Sequence, residues 1–131
     1  MKISFPSINS DLALMSHMYI YTDAKGTSHY EFVKCQTLKP YMLNSEIIKH
    51  YCDEKPDITR NPFTRTTRID CDKTFSSQQV KYDEKLLTNL RSDICVDLFE
   101  QIKKELMCEG YQEISLNEAE LVSLNILINF I

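Results

Sequence analysis

Glycine is scarce in this chain: only Gly26 and Gly110 occur among its 131 residues. Phosphate-binding loops of the Rossmann and P-loop types need several glycines at fixed offsets, so neither type of nucleotide enzyme is expected. Tryptophan is absent, and no stretch of about eighteen consecutive apolar residues occurs. The sequence therefore predicts no membrane-spanning helix.

The chain also lacks an excess of basic residues. Its formal net charge is −4, from 15 Lys and Arg against 19 Asp and Glu. Nucleic acids are bound by basic surfaces, so this balance argues against a nucleic-acid partner. Arg60, Arg65 and Arg68 form a local basic cluster, but acidic residues such as Asp57 and Asp70 surround it. We predict a solvated surface of mixed charge there.

The cysteines have none of the paired spacings that zinc sites use. Structural zinc sites usually take ligands in pairs a few residues apart, and His50 with Cys52 is the only close His/Cys pair. We therefore predict buried free thiols, no metal and no cofactor. A thiol or metal enzyme that uses one of the three histidines stays open as a further alternative. The five cysteines are Cys35, Cys52, Cys71, Cys95 and Cys108.

The N-terminal segment does not resemble a signal peptide. Pro6, Asn9 and Asp11 interrupt the unbroken apolar core that such a peptide needs. We therefore expect an uncleaved N-terminus and an intracellular protein. A short helix from Leu12 to Met18, capped by Ser10 or Asp11, is the first predicted element.

Two stretches rich in aromatic and β-branched residues predict a β-hairpin. MYIYT (residues 18–22) and HYEFVKC (residues 29–35) flank a turn at residues 23–27 that contains Gly26. Asn44 is then a favourable N-cap, and the apolar spacing predicts a helix over residues 45–54 that Pro56 limits. Residues 55–81 are predicted to be mostly loop, with a short strand at residues 66–69.

The last third of the chain predicts helices. Residues 83–90 favour a short helical turn, and Ser92 is predicted to cap a longer helix that ends at Gly110. Ser115 and Glu118 have the spacing of a capping box, which predicts a final helix running to the end of the chain. That helix is apolar nearly all round, so we expect self-association, a partner, or continuation into a longer protein. The predicted core face of the longer helix comprises Ile94, Leu98, Phe99, Ile102 and Leu106.

The bend at Pro62 is the strongest candidate for a recognition surface. Proline fixes its own backbone and restricts Asn61 before it, so the residues that follow leave at a set angle. An arginine at Arg65 could then donate several hydrogen bonds to a docked partner. The alternative is a proline-stabilised connection in which Phe63 anchors the core and Arg65 is solvated.

Residues 44–65 resemble the second half of a U-box, the zinc-free relative of the RING finger found in ubiquitin ligases. The sequence NPFTR at residues 61–65 is similar to the family's Asp/Asn-Pro-x-Thr-Arg turn. Tyr41, Ile47, Ile48 and Tyr51 stand where the family has its tyrosine and helix-core residues. The family's opening Cys/Asp-Pro-Ile loop is not recognisable, so we place the first contact loop at residues 14–20.

The resemblance implies a ubiquitin ligase that acts as a scaffold without a covalent intermediate. Pro62 and Phe63 would contact a ubiquitin-conjugating enzyme, with Met15 or Ile20 as the apolar docking residue. Arg65 would be the catalytic residue, holding the thioester-linked ubiquitin in its reactive pose. Divergent members of this kind are associated with effectors that bacteria deliver into host cytoplasm.

The combined prediction is an α+β chain. Residues 1–90 would form the U-box-like unit, a small hairpin with a short helix, and residues 91–131 a C-terminal helical segment that packs on it or leads to a further domain. The alternative function is a non-enzymatic adaptor or inhibitor that binds a partner through the apolar C-terminal helices.

Overall fold

The structure, a computed structural model, describes residues 2–3, 17–24, 29–43, 48–88 and 91–131. These residues form nine β-strands and two α-helices, so the chain is α+β, as predicted. Along the chain these are β1 (Lys2–Ile3), β2 (His17–Ala24), β3 (His29–Thr37), β4 (Tyr51–Glu54), β5 (Thr67–Asp70), β6 (Lys73–Gln78), β7 (Val80–Tyr82), α1 (Val96–Glu109), β8 (Gln112–Ser115), α2 (Glu118–Leu124) and β9 (Ile128–Phe130), with single 3₁₀ turns at Pro40–Met42 and Glu84–Leu86.

The predicted hairpin is confirmed, and its second strand organises the main sheet. β2 pairs antiparallel with β3, in the register Ile20 opposite Val33. The other edge of β3 pairs first with β6, at Phe32 opposite Phe75, and then with β5, at Cys35 opposite Ile69. β3 is therefore the central strand of a seven-stranded sheet.

A bulge separates β5 from β6. Residues 33–34 of β3 face residues 70–74 on the neighbouring side, and the surplus residues bend that strand away from the ladder. The Asp70 carboxylate accepts a hydrogen bond from the Asp72 backbone N–H at 2.8 Å. The Asp72 carboxylate in turn accepts from the backbone N–H groups of Lys49 and His50 at 2.7 and 2.9 Å. The bulge thus fixes the entry into β4.

Strands from the last part of the chain complete the architecture. β4 pairs antiparallel with β5 at one side of the sheet, and β8 pairs parallel with β6. β7 and β9 form a separate two-stranded antiparallel sheet. Residues after position 90 therefore contribute a strand to the main sheet as well as helices.

Each face of the main sheet buries its own core. Neighbouring side chains of a strand point to opposite faces, and Val33 and Phe32 accordingly belong to different cores. Burial of each large aliphatic side chain of α1 contributes about 1.5–3 kcal/mol. The α1-side core comprises Ile20, Val33, Cys35, Cys52, Phe63, Ile69, Cys71, Leu98, Ile102 and Leu106. The opposite core comprises Tyr19, Phe32, Val80, Leu116, Leu121 and Ile128.

The helix predicted over residues 45–54 is wrong at its C-terminal end, and residues 44–47 lie outside the described residues. Residues 51–54 form β4, which pairs with β5 along its whole length. The exposure alternates as in a strand, since Cys52 is buried whereas Tyr51 and Asp53 are exposed. Pairing with a neighbouring strand, which the local pattern cannot reveal, decides the conformation here.

Two further predictions are corrected. Residues 55–66 form neither strand nor helix, as predicted, but residues 67–81 are mostly strand: the strand predicted at residues 66–69 is confirmed as β5, whereas β6 and the start of β7 were missed. β6 reads KTFSSQ, whose polar residues hide the strand signal although Thr74, Ser76 and Ser77 are buried. The N-terminal helix predicted to end at Met18 falls mostly outside the described residues, and its last residues belong to β2.

The C-terminal helices are confirmed in part. α1 buries Leu98, Ile102 and Leu106 on one face and ends at Glu109, followed by Gly110, whose φ of 81° is positive and is adopted readily only by glycine. The capping box at Ser115 is wrong, because β8 extends through that residue and Asn117 caps α2 instead. α2 ends at Leu124, and β9 follows it in place of further helix.

His50 joins the start of β4 to the last turns of α1. Its Nε2 lies 3.1 Å from a Glu109 carboxylate oxygen, and its Nδ1 lies 3.6 Å from one of Glu105. The two glutamates are four residues apart and thus share one helix face. The hydrogen bond with Glu109 raises the pKa of His50 above its ordinary value.

Raising the pH through neutrality is expected to destabilise the wild-type protein more than a His50→Gln variant. A group whose pKa is raised by folding stabilises the folded state fully below its unfolded pKa, about 6.5, and loses that contribution as the pH rises through the folded pKa. Thermal unfolding of both proteins between about pH 6 and pH 8 measures the difference. Burial lowers the pKa of His17, but His17 is present in both proteins and cancels. Parallel pH profiles would contradict the ion pair.

Candidate functional site

An open apolar cleft of about 500 Å³ lies between β2 and the beginning of α1. Residues 18–21 of β2 form one wall, and Ile94, Val96 and Phe99 stand on the α1 side. Pro62 also lines it. The cleft therefore brings together several parts of the chain that are far apart in sequence, including also Tyr30, Leu87 and Thr88.

The β2 wall of the cleft is the edge of a strand. Four consecutive residues line the cleft although their side chains alternate between the two faces of the sheet, which requires the cleft to run along the strand itself. Among the described residues, β1 pairs with β2 only at His17 and Met18. Beyond that pairing, residues 19–21 of β2 contribute to the lining of the cleft.

The bend at Pro62 is held rigidly by Asn61, which is only 1% exposed. The Asn61 side-chain oxygen accepts from the Phe63 N–H at 3.1 Å, and its amide nitrogen donates to Glu54 Oε1 at 3.1 Å. On the other side, the Cys95 N–H donates to the Arg60 carbonyl at 2.7 Å. The bend is thereby attached to the end of β4 and to the start of α1, and both attachments position Pro62 in the cleft.

The structure separates the predicted site residues. Pro62 and Ile20 line the same cleft, Ile20 being 9% exposed. Phe63 is 6% exposed and packs in the α1-side core, which is where the core-anchor alternative placed it; its contact with a partner stays a prediction. Arg65 is exposed but does not line the cleft. Met15 lies outside the described residues.

Ion pairs neutralise two members of the basic cluster. Arg60 Nε donates to Glu54 at 2.9 Å, and Arg68 Nε donates to Asp53 at 2.8 Å. Each carboxylate raises the pKa of its arginine, because it stabilises the charged guanidinium. Arg65 is the exposed guanidinium of the three. The charges are mixed as predicted, but the predicted solvated surface is wrong for Arg68 and Asp70, which are only 3% and 5% exposed.

The α1 wall of the cleft was not predicted from the sequence. Val96 is 70% exposed, although it is a β-branched apolar residue. It lies outside the apolar stripe that places Leu98, Ile102 and Leu106 in the core, and that departure was the available signal. An exposed valine at the rim of a cleft is a candidate contact residue.

The described residues offer no evidence of metal chemistry or of a membrane span. No group of three or more His, Cys, Asp or Glu among them could hold a metal ion. Within the same residues, no helix is long and apolar enough to cross a bilayer.

Comparison with known proteins gives no further guide. No protein-family model, no curated protein and no solved structure matches this chain.

Proposed function

We propose that this chain is a protein-recognition domain and that the cleft between β2 and α1 receives an apolar segment of its partner. The observation that carries this proposal is that Ile20, Pro62 and Val96 line one open cleft. An apolar groove with one rigid wall suits docking, because little conformational freedom is lost on binding.

The partner that the sequence predicts is a ubiquitin-conjugating enzyme, with the chain acting as a ubiquitin ligase. That Ile20 and Pro62 line one cleft supports this candidate, since an aliphatic residue together with the proline bend is the predicted docking feature. Arg65 is exposed three residues after Pro62 and is free to reach a bound ubiquitin. The strand at residues 51–54 replaces part of the helix on which the U-box resemblance rests, so the cleft, and not the resemblance, is the main support.

The alternative partner surface is the C-terminal end of the chain. Ile126 and Ile131 are 92% and 68% exposed, and Phe130 is 54% exposed. These side chains favour an adaptor or a self-associating protein. Ile128 does not belong to that surface, because it is 1% exposed in the core opposite α1.

Val96→Glu is expected to abolish docking in the cleft without unfolding the protein. Val96 begins α1, where an acidic side chain is compatible with the helix dipole. Met107→Glu is the matched control, since Met107 is 78% exposed on the same helix and does not line the cleft. Binding to a panel of purified ubiquitin-conjugating enzymes, measured by biolayer interferometry, should weaken about tenfold or more in Val96→Glu only.

The same proteins separate the possible outcomes. Ubiquitin transfer that is lost in Val96→Glu and Arg65→Ala but kept in Met107→Glu supports the ligase. Binding without transfer supports an adaptor that uses the cleft. If no conjugating enzyme binds the wild type, the ligase proposal fails. Loss of self-association in Ile126→Glu, with Val96→Glu, Arg65→Ala and Met107→Glu unaffected, would instead identify the C-terminal surface.

A further inference from the structure

Two of the five cysteines face each other across neighbouring strands. Cys52 of β4 pairs with Ile69 of β5, and Cys71 follows two residues after Ile69 at the start of the bulge. The Cys71 N–H donates to the His50 carbonyl at 2.9 Å, so the strand pairing continues to that position. Both side chains belong to the core beneath α1. They are thus diagonal neighbours on one face of the sheet.

The two thiols influence each other's ionisation. Hydrogen bonding between the side chains lowers the pKa of Cys52 and raises that of Cys71. The Cys71 thiol donates to the Ile69 carbonyl oxygen, with 3.7 Å between sulfur and oxygen. A thiol that is stabilised as the thiolate is the better nucleophile of a pair. Cys52 is therefore the side chain that reacts first.

Cys52 is the more exposed of the two cysteines. Among the described residues β4 is the last strand at its side of the main sheet, and Cys52 is 9% exposed whereas Cys71 is fully buried. Of the two side chains, Cys52 is therefore the nearer to solvent. Cys71 is then the residue behind it that can resolve an oxidised Cys52.

We propose that Cys52 and Cys71 form an oxidation site at which hydrogen peroxide converts the two thiols into an intramolecular disulfide. The Cys52 thiolate attacks one peroxide oxygen, the O–O bond breaks, and a sulfenic acid and water form after protonation. Cys71 then attacks the Cys52 sulfur, and the sulfenic hydroxyl leaves as a second water. The two cysteines lose two electrons and two protons in total, and the peroxide is reduced to two waters.

The other cysteines differ in setting and serve as references. Burial raises the pKa of Cys35 to about 12 and suppresses its thiolate. The Cys95 sulfur accepts a hydrogen bond from the Leu98 N–H at the start of α1. Cys108 is exposed. An exposed cysteine can form disulfides between molecules. The measurement therefore uses a Cys108→Ser protein, in which Cys108 cannot form them.

Peptide mapping of the Cys108→Ser protein after treatment with hydrogen peroxide tests the site. We expect the Cys52 and Cys71 peptides to appear joined, with a mass lower by two hydrogen atoms, and two titratable thiols to be lost together. The joined peptides should separate on reduction. The proposal would be overturned if Cys52 and Cys71 stayed reduced while Cys95 became oxidised. A disulfide from Cys52 or Cys71 to Cys35 or Cys95 would also overturn it.

A second variant tests the order of the two steps. In Cys71→Ser, Cys52 has no resolving partner, so dimedone should label it as the sulfenic acid, while the wild type gives little label. Circular dichroism first establishes that the variant is folded. If it is not folded, dimedone added to the wild type during peroxide treatment should trap Cys52 in preference to Cys71. Label on Cys71 in place of Cys52 would contradict the assignment of the nucleophile.

Discussion

Phe63→Ala is expected to lower the free energy of unfolding by about 3–5 kcal/mol. The ring is 6% exposed and packs with Ile20 and the buried face of α1, so its removal leaves a cavity in the core. The Phe63 N–H donates a hydrogen bond to the side-chain oxygen of Asn61. This bond holds the backbone in position, so the backbone cannot easily collapse into the cavity. Urea denaturation followed by circular dichroism measures the loss.

Arg65→Ala is the matched control for Phe63→Ala, two residues away in the same loop. Its side chain is exposed, so the expected change in the free energy of unfolding is within about 0.5 kcal/mol. A small effect for Phe63→Ala combined with a large one for Arg65→Ala would mean that the bend presents its aromatic ring outward, as the sequence alone first suggested.

Arg68→Met is expected to cost about 2–4 kcal/mol, although Arg68 belongs to a charged cluster. Arg68 is 3% exposed and makes two hydrogen bonds to Asp53 and one, at 3.0 Å, to the Met42 carbonyl. Its guanidinium also lies 3.7 Å from the centre of the Tyr51 ring. Methionine keeps the apolar part of the side chain but leaves the Met42 carbonyl and the Asp53 carboxylate without this donor.

Arg91→Met provides the comparison for Arg68→Met. Arg91 also pairs with a carboxylate, that of Asp93 at 2.8 Å, but the Asp93 side chain is 73% exposed. Water screens such a pair, and its removal should cost no more than about 1 kcal/mol. Equal losses in the two variants, measured by urea denaturation, would show that burial of Arg68 does not strengthen its ion pair.

The elements that could be predicted are those with a strong local pattern. The hairpin of β2 and β3 follows from two dense runs of aromatic and β-branched residues. α1 follows from its apolar stripe and from Gly110 at its end. In both cases the residues that decide the structure are neighbours in sequence, so a short stretch of sequence is sufficient to predict the element.

β4 could not be predicted because its conformation depends on distant residues. Its local sequence follows a favourable N-cap at Asn44, which indicated a helix. The structure instead pairs it with β5 and ties its entry to the carboxylate of Asp72. Neither interaction can be recognised from the residues that surround Cys52 in the sequence. β6 was missed for a related reason, since its polar side chains are buried only because other elements cover them.

The candidate cleft shows the same division between local and distant information. Pro62 is visible in the sequence because proline has a known effect on its own backbone. Its proximity to Ile20 was an expectation taken from a resemblance, whereas Val96 was not foreseen at all. The cleft is assembled from separate parts of the chain, and its shape depends on how the folded backbone brings them together. Single lining residues such as Pro62 could therefore be predicted, but the cleft as a whole could not.

The parallel pairing of β6 with β8 has a consequence for synthesis of the protein. β6 ends at Gln78 and β8 begins at Gln112, so during synthesis the outer edge of β6 leaves the ribosome well before its partner strand does. Until then a nascent chain exposes a strand edge that can join strands of neighbouring polypeptides. Chaperone demand during translation should therefore persist until β8 has emerged and paired with β6.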